Sequence, residues 1–304
     1  MSDLAHLPTE ARNPASEQLD ELPTLAMLEV IHQGDREAVA AVERELPRIA
    51  AAVDAIVARI AAGGRLFYLG AGTSGRLGVL DASECPPTYN VAPGLVQGLI
   101  AGGDRALRNS VERAEDDPEQ GALDLVDHGF TARDVLVGIA ASGRTPYVLG
   151  GIEHVRALGA FTIGLTCVPG SPIAQAVELA LSPATGPEVV TGSTRMKAGT
   201  ATKLVLNMLS TATLVRLGYV YGNLMINVQP TNVKLQDRAT RIIASITGVD
   251  SVQAADLLAQ AGSVKTAVLM HQRGLSRRDA EARLATAQGR LREALGETGE
   301  AGSG

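Results

Sequence analysis

Short apolar runs alternate with helical stretches through the middle of the chain. The runs cover residues 65–69, 95–101, 135–141, 161–166 and 178–181. Each run is rich in aliphatic residues and is closely followed by Gly, Ser or Pro. Strands that are buried on both faces and alternate with helices form parallel sheets. The pattern therefore predicts an α/β fold with a doubly wound, mostly parallel sheet of five strands.

Helical periodicity flanks the predicted sheet on both sides. Apolar residues recur at helical spacing before Gly63-Gly64, and a long helix is predicted over residues 194–217. An extended segment is expected over 218–235. After Gly248, three short helices are predicted, with Ser263 and Ser276 as caps. The expected organisation is an N-terminal arm (1–16), an α/β domain with flanking helices (17–247), a small three-helix domain (248–295) and a disordered tail (296–304).

Composition narrows the class of protein. The 304 residues are 45% hydrophobic but only 3% aromatic, without Trp, so the core must consist of Ala, Val, Leu and Ile. The net charge of −6 argues against a nucleic-acid surface. Two cysteines provide no disulfide framework. The first 16 residues are polar and no stretch resembles a membrane span, so we expect a cytoplasmic protein without a membrane partner.

The first predicted strand runs into a glycine-rich turn, Gly70-Ala71-Gly72-Thr73-Ser74-Gly75, that matches G-x-G-x-x-G. This pattern is typical of dinucleotide sites, but no acidic residue ends the second strand to hold a ribose, because Asp104 comes late. A P-loop fails as well, because Arg76-Leu77 stand where Lys-Ser/Thr is required. The hydroxyls of Thr73 and Ser74 suit a compact phosphate or sugar. A glycine turn needed only for close packing stays open as the alternative.

A second hydroxyl-rich turn, Ala141-Ser142-Gly143-Arg144-Thr145-Pro146, follows the third predicted strand. Thr145 can cap the next helix and Pro146 suits its first position. Ser142, Gly143 and Thr145 would direct hydroxyls and backbone N–H groups at one anion. Two such turns at the carboxyl ends of strands in one sheet favour a phosphate site.

Residues 191–200 open the long helix with hydroxyls and cations, among them Ser193, Arg195 and Lys197. An anion site and a plain capped helix are equally compatible with this segment. Two carboxylates are further candidates. Pro86-Pro87 predict that the chain leaves the helix just after Glu84, which places Glu84 at an irregular junction. Glu115 lies in an acidic stretch that, on its own, indicates a solvated face.

Other chemistry finds little support in the sequence. Cys85 has no His near it in sequence, so a buried structural thiol is the favoured interpretation. The five histidines are scattered and show no metal-ligand spacing such as H-E-x-x-H. We therefore expect no metal and no redox cofactor.

Several long motifs, taken in order, resemble the N-acetylmuramic acid 6-phosphate etherase family. One is Asp81-Ala82-Ser83-Glu84-Cys85-Pro86-Pro87-Thr88. The others are residues 70–76, 140–147 and 191–200, with shorter matches at 9–14 and 231–235. The resemblance runs from the arm to the small helical domain. It implies a sugar isomerase (SIS) fold followed by a ubiquitin-associated-like helical domain.

The resemblance also implies an activity, namely cleavage of the D-lactyl ether at C3 of N-acetylmuramic acid 6-phosphate in cell-wall sugar recycling. It implies no cofactor, a homodimer with sites near the subunit contact, and two functional glutamates that align with Glu84 and Glu115. We interpret Glu84 as the proton donor and Glu115 as the base, although the sequence does not decide between the two roles. The candidate substrate-binding residues are Gly72, Thr73, Ser74, Ser83, Ser142, Gly143, Thr145 and Ser193.

Alternatives from other classes remain at this stage. A non-catalytic sugar-phosphate regulator would bind the sugar and release no lactate. An aldose–ketose isomerase would interconvert sugar phosphates without losing the substituent at C3. A nicotinamide dehydrogenase would bind NAD.

Overall fold

The computed structural model describes residues 8–111 and 113–297. Its centre is a five-stranded sheet in the order β2-β1-β3-β4-β5, in which all neighbouring strands are parallel. The strands are β1 (Leu66–Gly70), β2 (Val96–Ile100), β3 (Val135–Ile139), β4 (Phe161–Leu165) and β5 (Leu179–Leu181). The predicted doubly wound parallel sheet is confirmed, because each apolar run forms a strand.

Helices cover both faces of this sheet. Those that precede or connect the strands are α1 (Thr24–Glu43), α2 (Leu46–Ala61), α3 (Gly72–Tyr89), α4 (Arg105–Arg108), α5 (Pro118–Asp127), α6 (Pro146–Ala157) and α7 (Pro172–Ala176). Phe67 and Leu69 of β1 pack with residues of α5 and α6 in one core cluster. Tyr68, which points to the opposite face, bonds to Asp81 of α3.

Helices α5 and α6 approach each other until their backbones touch. A methyl group on Gly121 of α5 would collide with the carbonyl oxygen of Tyr147, and one on Gly150 of α6 would collide with that of Pro118. The Tyr147 hydroxyl also donates to Asp124 of α5 at 2.5 Å. This contact fixes the start of α5, which immediately follows the 3₁₀ turn Ala114–Asp116.

The remaining helices are α8 (Lys197–Arg216), α9 (Val233–Thr247), α10 (Ser251–Ala261), α11 (Val264–Arg273), α12 (Arg277–Thr286) and α13 (Leu291–Ala294). Ser263 and Ser276 accept backbone hydrogen bonds at the starts of α11 and α12, so the predicted caps are confirmed. Helix α9 was not expected. It begins at Val233, inside the segment predicted to be extended, and Asn232 caps it.

The described chain forms two compact units. The first contains residues 8–83 and Pro93–Thr211, and the second contains Glu84–Ala92 and residues 212–297. Helices α9, α10 and α11 share one hydrophobic core in the second unit. This unit includes α9, whose apolar face packs with α10 and α11, and it extends over residues outside the range 248–295.

The two ends of the chain are described only in part. Residues 1–7 of the expected arm and 298–304 of the expected tail lie outside the described residues. At the described end of the tail, the Glu297 carboxylate accepts a hydrogen bond from Tyr221 at 2.9 Å. In the described part of the arm, Ser16 donates to the carbonyl oxygen of Val189.

The length and hydrophobicity of the described helices bear on whether any of them could span a membrane. None of them alone is both long and apolar enough to cross a bilayer. Helices α9 and α10 reach that measure of length and composition only as a pair, with a bend of 108° between them.

Candidate functional site

The strand order places a topological switch point between β1 and β3. The chain passes from β1 to β2 toward one edge of the sheet and from β3 to β4 toward the other edge. Gly70, the last residue of β1, pairs with Ile100 of β2 and Ile139 of β3, so the three strands end at one level. Ligands of such sheets bind beyond the carboxyl ends of the strands at the switch point. The three loops after β1, β2 and β3 are therefore where a ligand of this fold would bind.

A pocket of about 270 Å³ lies between the start of α3 and the loop that follows β2. Glu115 and Gly72 both line it, so the structure brings together two of the predicted site residues. Its other lining residues are Ala71, Arg76, Ala101, Ala106, Ser110, Val111, Arg113 and Ala114. Glu115 is exposed at this pocket, on the 3₁₀ turn that precedes α5. The lining therefore includes one acidic residue, two arginines and the first residue of α3.

The glycines of the turn after β1 have a packing role. A methyl group on Gly70 would lie 2.7 Å from the Gly75 amide nitrogen, and one on Gly75 would lie 2.6 Å from Ile100. The close-packing interpretation thus explains these two glycines without any ligand. Thr73, which is half-buried in the first turn of α3, faces Gly199 of α8, where a β-carbon would lie 3.6 Å from its methyl group. Thr73 therefore brings the glycine-rich turn after β1 close to the segment 191–200 at the start of α8.

The turn after β3 lies at its predicted place, but not all of its predicted ligand-binding groups are available to a ligand. Gly143 has a φ of +67°, and its amide donates to the carbonyl oxygen of Ala140, which closes the turn. Thr145 occupies the N-cap position of α6 and Pro146 its first turn, as predicted, but the Thr145 side chain makes no capping hydrogen bond. Ser142 and Thr145 are half-buried. These hydroxyls, rather than the Gly143 amide, are the groups of this turn that suit a ligand.

Gly143→Ala should lower the free energy of unfolding by at least about 2 kcal/mol. An L-residue is strained at this positive φ, and a methyl group would also collide with the Ser171 side chain. Gly170→Ala is the matched control, because Gly170 has a φ of +71° but open space around it. Urea unfolding followed by circular dichroism measures both. Equal losses in the two variants would show that packing against Ser171 contributes nothing.

The third segment is held mainly by internal contacts. The buried carboxylate of Glu188 accepts hydrogen bonds from the amides of Lys197 at 2.8 Å and Ala198 at 3.0 Å, at the start of α8. Burial raises the pKa of Glu188, while these amides and the nearby cations lower it. The Lys197 ammonium, itself buried, pairs with Glu37 of α1 at 2.6 Å. The first amides of α8 therefore already bind an anion of the chain, which favours the capped-helix interpretation for this helix start.

A buried polar cluster connects β1, α3 and α8 within the first unit. Asp81 accepts hydrogen bonds from Tyr68 at 3.0 Å, Asn207 at 2.6 Å and Ser210 at 3.1 Å. Burial raises the pKa of Asp81, and the three hydrogen bonds oppose that rise. Because these groups hydrogen-bond to one another, the cluster holds the second half of α8 against α3 rather than offering a binding site.

The expectation that the chain leaves the helix after Glu84 is wrong. Helix α3 continues through Pro86 and Pro87 to Tyr89. Each proline removes an amide donor from the helix, but Cys85 and Tyr89 are buried and their packing stabilises the last turn. Glu84 is accordingly an exposed helical residue. It is the first residue of the second unit, whereas the pocket beside Glu115 is lined by residues of the first unit.

Two of the predicted binding serines have local roles. The Ser83 hydroxyl, which is exposed, donates to the carbonyl oxygen of Leu80 at 2.8 Å within α3. Ser193 is half-buried, and its amide closes a turn with the carbonyl oxygen of Val190. Neither residue lines the pocket beside Glu115.

The two cysteines, Cys85 and Cys167, are not joined in a disulfide. Both thiols are buried, which confirms the interpretation of Cys85 as a buried thiol. Burial raises the pKa of Cys167 to about 12. Within residues 8–111 and 113–297, no three His, Cys, Asp or Glu side chains are grouped so that they could hold a metal ion.

Sequence reasoning missed three polar residues of the pocket. Ser110 and Arg113 belong to the loop after β2, and Arg76 had been considered only as a departure from the P-loop pattern. A signal was present, because Arg76 follows the glycine turn and must lie on the first turns of the next helix. Because Arg76 is far in sequence from the loop after β2, the sequence alone does not show that the two line the same pocket.

Family comparisons agree with this architecture. Residues 48–156 match the glucokinase regulatory protein N-terminal SIS domain, and residues 114–212 match the SIS domain. The chain is 56% identical to N-acetylmuramic acid 6-phosphate etherase of Aeromonas hydrophila subsp. hydrophila over 94% of this chain and 97% of that protein. It is 55% identical to the protein of the same name from Serratia proteamaculans over 96% of this chain and 99% of that protein.

Among solved structures, a phosphoheptose isomerase from Francisella tularensis is similar at a TM-score of 0.47 and 19% identity, covering 63% of this chain and 98% of that one. The relatives of known name match over nearly their whole length and at more than half of the aligned positions. The chain accordingly belongs to the N-acetylmuramic acid 6-phosphate etherase family.

Proposed function

We propose that this protein is an enzyme that cleaves the D-lactyl ether of N-acetylmuramic acid 6-phosphate, giving N-acetylglucosamine 6-phosphate and D-lactate. One observation carries the proposal. In a chain 56% identical to a protein named for this activity, the expected base, Glu115, lines a pocket at the carboxyl ends of the strands. The reaction belongs to the recycling of cell-wall sugars, and we expect it in the cytoplasm.

The chemistry of the ether explains why two carboxyl groups are needed. An alkoxide is a poor leaving group, so direct cleavage is slow. In the open-chain sugar, the C1 aldehyde acidifies the proton at C2, and a carboxylate can remove it. Lactate then leaves C3 with a proton from an acid, and water adds at C3 of the unsaturated aldehyde. Acid–base assistance of this kind contributes about 10²–10⁴-fold for each group.

We assign the base at C2 to Glu115 and the proton donor to Glu84. The exposed position of Glu115 at the pocket gives substrate direct access to its carboxylate. Glu84 is an exposed carboxyl in the motif that carries the family resemblance. Its pairing with Glu115 is part of the proposal and is tested by the separate effects of the two substitutions.

Phosphate binding is assigned to the turns after β1 and β3. The hydroxyls of Thr73, Ser74, Ser142 and Thr145 lie in these turns, and those turns flank the switch point of the sheet. Gly72 and Gly143 supply the backbone conformations that the turns require. Ser83 and Ser193 complete the proposed set. Binding energy from the phosphate would orient C2 and C3 toward the acid and the base.

The proposed assembly is a homodimer with its sites near the subunit contact, as the family resemblance implies. Analytical ultracentrifugation at the concentrations used for activity tests it, with a sedimenting species of twice the 31.5 kDa chain mass as the expected result. A species of single chain mass that remains fully active would contradict it.

The activity is tested by mixing the purified protein with N-acetylmuramic acid 6-phosphate in the presence of a chelator and assaying D-lactate. Stoichiometric release of D-lactate and N-acetylglucosamine 6-phosphate is the expected result. Binding of the sugar phosphate without release would instead indicate a regulator. Conversion to another sugar phosphate that retains lactate would indicate an isomerase.

A further inference from the structure

The proposed substrate carries two anionic groups, and the phosphate-binding turns account for only one of them. The phosphate is on C6, whereas the lactyl carboxylate is attached through the ether at C3. C3 is bonded to C2, the carbon that faces the expected base. A group that recognises the lactyl carboxylate must therefore lie close to Glu115, and C6 lies four bonds away from C2.

Two arginines line the pocket that contains Glu115. They are Arg76 of α3 and Arg113 of the loop after β2. The hydroxyl-bearing residues assigned to phosphate do not line it. A guanidinium binds a carboxylate through two parallel N–H bonds, which is a stronger and more specific contact than a single hydroxyl provides.

The position of Arg76 is fixed before any ligand binds. Its side chain is half-buried, and its Nε donates to the carbonyl oxygen of Leu107 at 3.1 Å. That bond occupies one edge of the guanidinium and leaves the two terminal nitrogens to engage a ligand. An anchored guanidinium loses less freedom on binding than a mobile one, which favours recognition.

Arg113 is held in an unusual backbone conformation directly beside the expected base. Its φ is +62°, a left-handed value that non-glycine residues seldom adopt. Its carbonyl oxygen accepts a hydrogen bond from the Asp116 amide at 3.1 Å, which closes the 3₁₀ turn carrying Glu115. Such conformations persist where the surrounding structure imposes them, and they cluster at functional sites.

We propose that Arg76, assisted by Arg113, binds the carboxylate of the lactyl group and thereby selects sugar phosphates that carry this acid at C3. The inference deepens the proposed function and rests on it. The arginines would hold the leaving group in register with C3 while Glu115 acts at C2. N-acetylglucosamine 6-phosphate, which has the phosphate but no lactyl group, would not use the arginine contact.

The difference between these two ligands supplies the test. Dissociation constants are measured by calorimetry for N-acetylglucosamine 6-phosphate, and KM is measured for N-acetylmuramic acid 6-phosphate, with wild type, Arg76→Gln and Arg76→Lys. Arg76→Gln should raise KM for the lactyl substrate by about 10- to 100-fold and leave the affinity for the product sugar unchanged. Arg76→Lys keeps the positive charge but cannot form two parallel N–H bonds to a carboxylate. Its KM for the lactyl substrate should therefore lie between those of the wild type and Arg76→Gln.

Two further variants keep the result interpretable. Arg113→Gln should also raise KM for the lactyl substrate selectively, but by a smaller factor. This substitution leaves the hydrogen bond between Arg76 and Leu107 in place. Arg108→Gln is the matched control, because Arg108 is exposed on α4 and does not line the pocket. Unchanged affinity for the product sugar in Arg76→Gln also shows that the variant is folded.

Three results would overturn the inference. If Arg76→Gln weakened the binding of both sugar phosphates equally, the arginine would serve phosphate binding or the fold rather than the lactyl carboxylate. Release of lactate by the wild-type protein would still support the proposed function. Unchanged KM in both Arg76→Gln and Arg113→Gln would remove the arginines from substrate binding. A wild-type protein that binds neither sugar phosphate and releases no lactate would end the proposed function and this inference together.

Discussion

Glu115→Gln should stop the exchange of the C2 hydrogen of the sugar with solvent. The amide has the shape of the carboxylate but cannot accept the proton, so exchange is expected to fall by about 10²–10⁴-fold. Glu115 is exposed, and no hydrogen bond of the described structure depends on its carboxylate, so the fold should be unaffected. The measurement is deuterium at C2 of the recovered sugar phosphates after reaction in D₂O, determined by mass spectrometry.

Asp116→Asn is the matched control for this substitution. Asp116 lies in the same 3₁₀ turn and is exposed like Glu115, but it does not line the pocket. Its exchange rate should remain at the wild-type value. Normal exchange in Glu115→Gln would remove this residue as the base, whatever the effect on lactate release.

Glu84→Gln should separate the two halves of the reaction. If Glu84 donates the proton to lactate, release should slow by about 10²–10⁴-fold, while exchange at C2 continues because Glu115 is intact. D-lactate release and C2 deuterium are measured in the same samples. Helix α3 does not depend on the Glu84 side chain, which is exposed, so circular dichroism should be unchanged.

The control for Glu84→Gln is Glu153→Gln, an exposed carboxylate on α6 outside the pocket. Release unchanged in Glu84→Gln would remove this residue as the acid. Loss of both C2 exchange and lactate release in Glu84→Gln, together with C2 exchange that persists in Glu115→Gln, would require the roles of the two glutamates to be interchanged.

The parallel sheet could be predicted because its signal is local. Each strand is a short aliphatic run, and a run buried on both faces needs no alternation to be recognised. Helix α3 beyond Glu84 could not be predicted, because two prolines argue for a break, whereas the burial of Cys85 and Tyr89 that favours the helix arises only in the folded chain. Helix α9 was missed despite a readable pattern, with Asn232 as its cap and apolar residues at helical spacing.

The site was predictable from position only where a residue directly follows a strand, as Gly72 at the start of α3 does. Glu115 was assigned through the family resemblance, because its acidic stretch alone indicates a solvated face. The pocket joins the two residues. Arg76 and Arg113 are 37 positions apart in the sequence, and nothing local links them. The capping of α8 by Glu188 also has no sequence signal, since the carboxylate reaches the helix only after the intervening chain has folded.

The contact between α5 and α6 bears on how relatives of this protein can be interpreted. Gly121 and Gly150 cannot gain a side chain without moving one helix, so selection for a stable fold alone would retain them over long divergence. A descendant that had lost the reaction but kept its shape would still carry both glycines. Their retention therefore reports inheritance of the architecture, whereas replacement of the neighbouring Glu115 would mark a lineage in which the chemistry had been abandoned.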